Sequence, residues 1–539
     1  MSHPVTWVAA TSAIVSVAYA ASAQESPTGL QQRERGACAG YTLFSPLRSA
    51  KTYLIDMQGN VVHSWKSDAP PGQTVYLLDN GHLLRCEHTG GNRAFHGGGI
   101  GGRIRQFDWD GNVVWGFVYS NSKHCQHHDI EPLPNGNVLV LAWESKTRAE
   151  AIAAGRDPEL TGREGLWPDH IIEVKPSGSS GGTIVWEWHV WDHLIQDYDS
   201  TKANYGKVAE HPELIDINYA GGGMRLSREQ RMRLESLGYL PPSPNRRPRG
   251  GHADWNHTNS IDYNAELDQI ILSVLSFNEV WIIDHGTTTK EAAGHAGGKH
   301  GKGGDLLYRW GNPKTYRAGT PADQQLFAQH DARWIPPGHP GAGHVLIFNN
   351  GRGRPGGDHS SVDEIVLPLD AEGRYARKPG TAFGPARPVW SYTSPRQADF
   401  FAGHISGAQR LPNGNTLICS GEQGQLFEVN AKGKTVWKYV SPFRGDIRPP
   451  GPGGRPDGPW GRFRPPPHEG ADPSGRTKRE RRFDGPPPGP PRGLGAMRHP
   501  PRRPPPGGHD RPNALFRATR LSPDSAGLEG KDLTQAAAR

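Results

Sequence analysis

The sequence predicts an all-β fold, a six-bladed β-propeller, from three observations. A short strand, a Gly-bearing turn and a strand closing on an aromatic recur six times. A second phrase, Leu-Pro-Asn-Gly-Asn or a looser form of it, falls between these copies, and four of the intervals carry a His-bearing segment just ahead of a strand. An antiparallel unit that cannot bury both faces alone must stack on its neighbours, and about four strands returning every ~40–50 residues is the propeller pattern. A β-sandwich would explain the strands but not the linked return of two phrases.

In chain order, residues 1–23 read as a secretory leader: an apolar run over 5–20 is too short to span a bilayer, and Ala21-Ser22-Ala23 follows as a cleavage site. Residues 24–39 read as a polar linker and 40–444 as the propeller. The first phrase stands at 53–65, 107–115 and 430–439, with looser copies ending in Trp188, Trp310 and Tyr392. The second stands at 133–139 and 411–417, and in weaker form at 78–84 and 334–348. Asn-Gly between two strand-like runs marks a hairpin, because both central residues of the favoured turn need positive φ.

Two insertions break the period. Residues 189–250 contain a short helix, capped by Ser227 with Gln230 three residues on, carrying Met232, Leu234 and Leu237, and stopped by Gly238 and Pro241. Residues 445–511 are Pro/Gly/Arg-rich and lack the apolar surface to order themselves, so the expectation is a disordered basic insertion. Residues 512–539 form a closing strand and tail, with 513–520 read as the missing outer strand of the sixth blade.

The formal charge is +7, and residues 445–511 account for all of it with 14 Lys and Arg against 7 Asp and Glu. The folded part therefore offers no basic stripe for nucleic acid. Four Cys (Cys38, Cys86, Cys125, Cys419) lack C-x-x-C spacing; in an exported chain they could form one or two disulfides, with the pairing open. No integral membrane segment is expected after removal of the leader, and a homodimer is left open.

Chemistry is expected where the innermost strands meet the channel. Residues 327–334 hold His330, and comparable segments hold His128, His257 and His404. Four His could bind a metal, but no H-x-x-x-H pair occurs. Asp129 and Asp331 follow their His by one residue, which on a strand faces the other way. No metal and no cofactor are expected. The Gly-rich stretch 294–304 does not fit a phosphate-binding loop. His295, His300, His339, His344 and His359 read as solvated loop residues, and the repeating Trp as blade packing.

Gln329-His330, His257-Thr258-Asn259-Ser260, the run 305–312 and the run 406–415 together resemble the bacterial arylsulfotransferase family over most of 40–443. The resemblance implies a periplasmic or secreted propeller that moves a sulfuryl group from an aryl sulfate to a phenol without a nucleotide donor, in a ping-pong route through a sulfohistidine. It implies His330 as nucleophile, with His257 and His128 as supporting catalytic residues. Asn259 is implied as a further donor and His404 is a weaker candidate contact, while Arg333 and Arg410 are candidates to stand in for a missing family cation. One departure stands out: Leu275 falls where the family carries Arg. That departure favours the alternative, a weakly active or inactive propeller that binds a sulfated or phenolic ligand or a protein partner.

Overall fold

Six antiparallel sheets arranged around one axis make up a computed structural model of the chain, which describes residues 27–219, 253–445 and 513–534. From the axis outward, blade 1 runs Leu515–Leu521, Tyr41–Pro46, Lys51–Ile55, Val61–Lys66. Blades 2 to 6 begin at the axis with Pro71–Leu77, His124–Pro132, Thr258–Asn264, His330–Trp334 and Gly407–Arg410. Each inner strand lies against the next, and Leu515–Leu521 between the sixth and the second closes the ring.

The closing strand corrects one expectation. Leu515–Leu521 is not the outer strand of blade 6 but the innermost strand of blade 1, paired with Tyr41–Pro46. Blade 6 already has its outer strand, Thr435–Val440, and Gly29–Arg33 pairs on that as a fifth. Ring closure therefore joins the two ends of the chain in one sheet. No disulfide joins the four Cys, all of which are free. Cys86, Cys125 and Cys419 sit buried on strands of three different blades, where each packs as a small apolar side chain.

The six aromatic-closing phrases end in the fourth strand of each blade. Their indoles tie blade to blade: Trp65 donates to Asp108 O, Trp115 to Gly181 O and Trp186 to Thr287 Oγ1, while Trp310 donates to Pro385 O, Trp390 to Ala431 O and Trp437 to Met57 O, all at 2.7–3.3 Å. The last of these returns from blade 6 to blade 1. One hydrogen bond is worth only about 0.5–1.5 kcal/mol net, so the repeated indole acts mainly through the area it buries.

The second phrase supplies the hairpins between first and second strands, with Gly136 at φ 83° and Gly414 at φ 85°. The insertion after blade 3 contributes a short parallel pair, Leu194–Ile195 with Ile215–Asp216. Arg309, fully buried, pins it by donating to Pro212 O and Leu214 O while pairing with Glu279 at 2.6 Å. The helix expected around Ser227–Gly238 lies outside the described residues, as do the leader and nearly all of the basic insertion.

At the start of most inner strands the ladder breaks into a bulge. Gln73, His128, His257, Asp331 and Ile405 have φ of 106°, 50°, 51°, 52° and 50° in blades 2 to 6. Bulges re-aim side chains and gather beside functional sites, and a left-handed non-glycine residue is held only where its surroundings over-determine it. Here they turn consecutive side chains toward the axis. The next strand is held in register by side chains of its neighbour: Asp129 Oδ2 accepts from Ile261 N, Ser260 Oγ from Ala332 N and Asp331 Oδ2 from Ala408 N.

Candidate active site

The bulged ends of the inner strands bring His128, His257 and His330 into one buried cluster. The rings of His128 and His257 are 4.7 Å apart, edge to face. Phe516, from the closing strand, lies 6.1 Å from His128 and 6.4 Å from His330. His404 is buried nearby, with Nδ1 3.5 Å from Glu422 Oε2, and is within electrostatic reach of His330.

Each histidine has a second residue that sets its protons. Asn350 Nδ2 donates to Ala402 O and Ile405 O at 2.7 and 2.9 Å, so its Oδ1 must face His330 Nδ1, 2.8 Å away. That fixes the hydrogen on Nδ1 and leaves the lone pair on Nε2, which meets only the Ile405 N–H at 3.2 Å. His257 Nδ1 lies 2.5 Å from Asp254 Oδ2, whose other oxygen accepts from Trp143 Nε1 at 3.0 Å. His128 Nδ1 meets His127 Nδ1 at 2.8 Å, and His127 Nε2 meets Asp169 Oδ1 at 3.2 Å, a carboxylate–imidazole–imidazole series.

These environments push the rings apart electrostatically. Burial, followed by the neighbouring His257, holds His128 well below the ordinary imidazole range. Burial does the same to His330, against the Asn350 hydrogen bond, with His257, His404 and Arg352 adding to it. Burial also opposes charge on His257, but the Asp254 carboxylate overcomes it and raises that pKa. Two imidazoles whose charge is disfavoured thus stand beside one whose charge is favoured.

The other expected residues are placed differently. Asn259 Nδ2 donates to Gln329 O at 2.8 Å, tying blade 4 to blade 5. Arg333 pairs with Asp331 at 2.9 Å, about 10 Å along its strand from His330 at the usual rise per residue. Arg410 pairs with Glu364 at 2.6 Å and lies over Trp390. Leu275 is 7% exposed, and its backbone N–H donates to His257 O, 3.3 Å away.

Sequence reasoning missed His127, Asp169, Asp254, Asn350 and Arg352. The last two share a turn after the second strand of blade 5, Val345–Asn349. Gly351 has φ 75°, and a Cβ there would meet His359 O at 1.6 Å, so only glycine lets the chain turn at that point. Its N–H is held by Phe327 O at 2.8 Å. Arg352 follows, half-buried, and makes no hydrogen bond or ion pair among the described residues. Burial pulls its pKa down to about 10, which leaves it charged at neutral pH. The signal available was the pair Asn349-Asn350 ending an otherwise apolar strand.

Comparison with known proteins gives a consistent family. The arylsulfotransferase (ASST) family model matches residues 41–441. The arylsulfate sulfotransferase AssT of Escherichia coli O6:H1 is 25% identical over 391 residues, covering 70% of this chain and 58% of that protein. The chain thus spans less than two thirds of that relative's length. Among solved structures, a protein of unknown function from Bacteroides caccae aligns with TM-score 0.37 and 12% identity, over 75% of this chain and 94% of its own. A streptogramin B lyase aligns with TM-score 0.33 and 10% identity, over 78% and 84%.

Proposed function

The chain belongs to the arylsulfotransferase family, and from that premise we propose that it transfers a sulfuryl group from an aryl sulfate ester to a phenol, through a covalent intermediate on His330 and without a nucleotide. The observation that carries the reading is the Asn350–His330 hydrogen bond, which holds the hydrogen on Nδ1 and keeps the lone pair on Nε2, in contact with the Ile405 N–H. Such a lone pair can form an N–S bond as the S–O bond to the aryl group breaks.

The bonding electrons leave with the phenolate, which takes the proton of the His257 imidazolium, stabilised by Asp254. The sulfo-imidazolium keeps its Nδ1 hydrogen on Asn350. In the second half an acceptor phenol attacks sulfur, the N–S electrons return to Nε2, and the now neutral His257 takes the phenol proton. His128 and its Asp169–His127 series give a second neutral imidazole for proton transfer. The Ile405 N–H beside Nε2 is a donor for a sulfuryl oxygen once sulfur stands there. Export to the periplasm or exterior is part of the same reading and rests on the leader at 1–23. Among the described residues no helix is long and apolar enough to cross a membrane.

The sulfuryl group spreads negative charge over three oxygens, and Leu275 supplies nothing to meet it. Arg352 supplies the cation instead: Asp358 and Glu422 act on its charge, and that charge bears on both His257 and His330. Arg352→Gln is expected to lower turnover roughly 10²–10³-fold, the scale of losing one oxyanion donor, with an unchanged thermal melt. Steady-state kinetics beside a melting curve read both; full activity in this variant would remove Arg352 from the site.

The reading itself is tested by mixing the purified chain with excess 4-nitrophenyl sulfate and no acceptor. A burst of 4-nitrophenolate, together with one added SO₃ in the intact mass, is the expected result. Folded protein that gives neither would favour the ligand-binding alternative set by Leu275.

A further inference from the structure

We propose that His193, His295 and Asp305 form a binding site for a divalent transition metal of the zinc type, remote from the histidine cluster, which fastens the Gly-rich loop of blade 4 to the turn that follows the outer strand of blade 3. One ring nitrogen of His193, one of His295 and an oxygen of Asp305 lie within 4.8 Å of one another. His193 Nδ1 and His295 Nδ1 both face the same atom, Asp305 Oδ1, at 2.8 and 2.7 Å.

The hydrogen bonds of His193 carry the argument. The ring is completely buried, and its Nε2 meets the carbonyl of Ala292 at 2.9 Å, a group that can only accept. The hydrogen of a neutral ring therefore sits on Nε2, and Nδ1 turns its lone pair on a carboxylate oxygen, acceptor against acceptor. A cation between Nδ1 and Oδ1 resolves this. The arrangement is also that of metal-binding histidines, whose second nitrogen donates to a backbone carbonyl that fixes the ring.

The surroundings are shaped for the purpose. Trp188 stacks on His193 with rings 5.6 Å apart and 10° from parallel, and its indole donates to Gly304 O at 2.7 Å. A Cβ at Gly304 would come within 2.0 Å of Ala292 O and 2.7 Å of His193 Nε2, so glycine is needed for the loop to close over the ring. Asp305 is nearly buried, whereas the His295 side chain is 60% exposed and gives an entry path. Two imidazoles and a carboxylate are a donor set suited to zinc, with water completing a tetrahedron. The Gly-rich stretch thus acquires a role that its failure to match a phosphate loop left open.

The test uses the full chain, dialysed against chelator and titrated with Zn²⁺, with bound metal measured by elemental analysis and stability by a melting curve. Variants are His295→Ala, whose side chain is exposed and does not threaten folding, Asp305→Asn, and His300→Ala in the same loop as a control. The expected result is one zinc equivalent and a zinc-dependent rise in Tm, both kept in His300→Ala. His295→Ala should weaken zinc binding by more than the roughly 10–100-fold that loss of a merely orienting partner costs. Binding that is absent in the wild-type chain, or unchanged in His295→Ala, would overturn the site and leave a buried imidazolium paired with Asp305. Because His330→Asn should keep the site, zinc held only by the channel histidines is recognised separately.

Discussion

His330→Asn is expected to abolish the sulfuryl adduct and to slow 4-nitrophenolate release by about 10⁴-fold or more, as loss of a covalent nucleophile does elsewhere. The substitution removes the nitrogen that attacks sulfur but leaves an amide that can still donate to Asn350 Oδ1, so the melt should move little. His257→Asn should behave differently. It keeps the nucleophile, hence the adduct, and loses the acid that meets the departing phenolate, a contribution of roughly 10²–10⁴-fold. That loss should be larger for phenyl sulfate than for 4-nitrophenyl sulfate, whose phenolate needs little protonation.

The same pair sets the pH dependence. Burial lowers the pKa of His330, so activity is present above that value and falls as acid protonates the ring. Asp254 raises the pKa of His257 against burial, so activity is lost as pH rises through a value above the ordinary imidazole one. The profile is a bell whose limbs belong to the coupled histidines together. Asp254→Asn should bring the alkaline limb to lower pH, and a profile flat across both limbs would exclude His257 as the acid.

The blades were legible because their signals are local. A turn, two apolar residues and an aromatic fit within a dozen positions, so the outer strands and their Trp residues could be read from the chain directly. The three histidines were found because equivalent repeat positions share one destination. What escaped was set between strands of one blade, which local pattern does not reveal. Asp254 reaches His257 within one segment, yet Asp169 meets His127 from a distance of 42 residues and Asn350 meets His330 from 20. The misplaced closing strand has the same cause: 513–520 carries a strand pattern, but nothing local says which sheet edge it joins. Arg410 looked available in sequence because Glu364, which takes its charge, lies 46 residues away, whereas the partner of Arg333, Asp331, stands two residues before it on the same strand.

Arg517 on that closing strand should be the most costly single residue to neutralise. Its guanidinium lies on the axis below the histidines, 2.9 Å from Asp129 and 2.8 Å from Asp331, and donates to Tyr76 OH at 3.2 Å. Blades 1, 2, 3 and 5 thus meet at one buried cation. Removing one partner of a buried ion pair costs about 3–5 kcal/mol because the other is left uncompensated, and here two carboxylates are left. Arg517→Met fills similar volume, so the loss would come from charge and not from a cavity.

Burial opposes the charge of Arg517, but Asp129 and Asp331 raise its pKa above the usual arginine value. A raised pKa means stabilisation that is fully present below the unfolded value and lost only in strong alkali. The penalty of Arg517→Met should therefore be the same across neutral pH, read as a lower urea midpoint by Trp fluorescence. Restoring neutrality with Asp129→Asn and Asp331→Asn in the same chain should recover part of it, since the uncompensated charges are then gone. A variant as stable as the parent would mean that water reaches the axis and that the ring is closed by strand pairing alone.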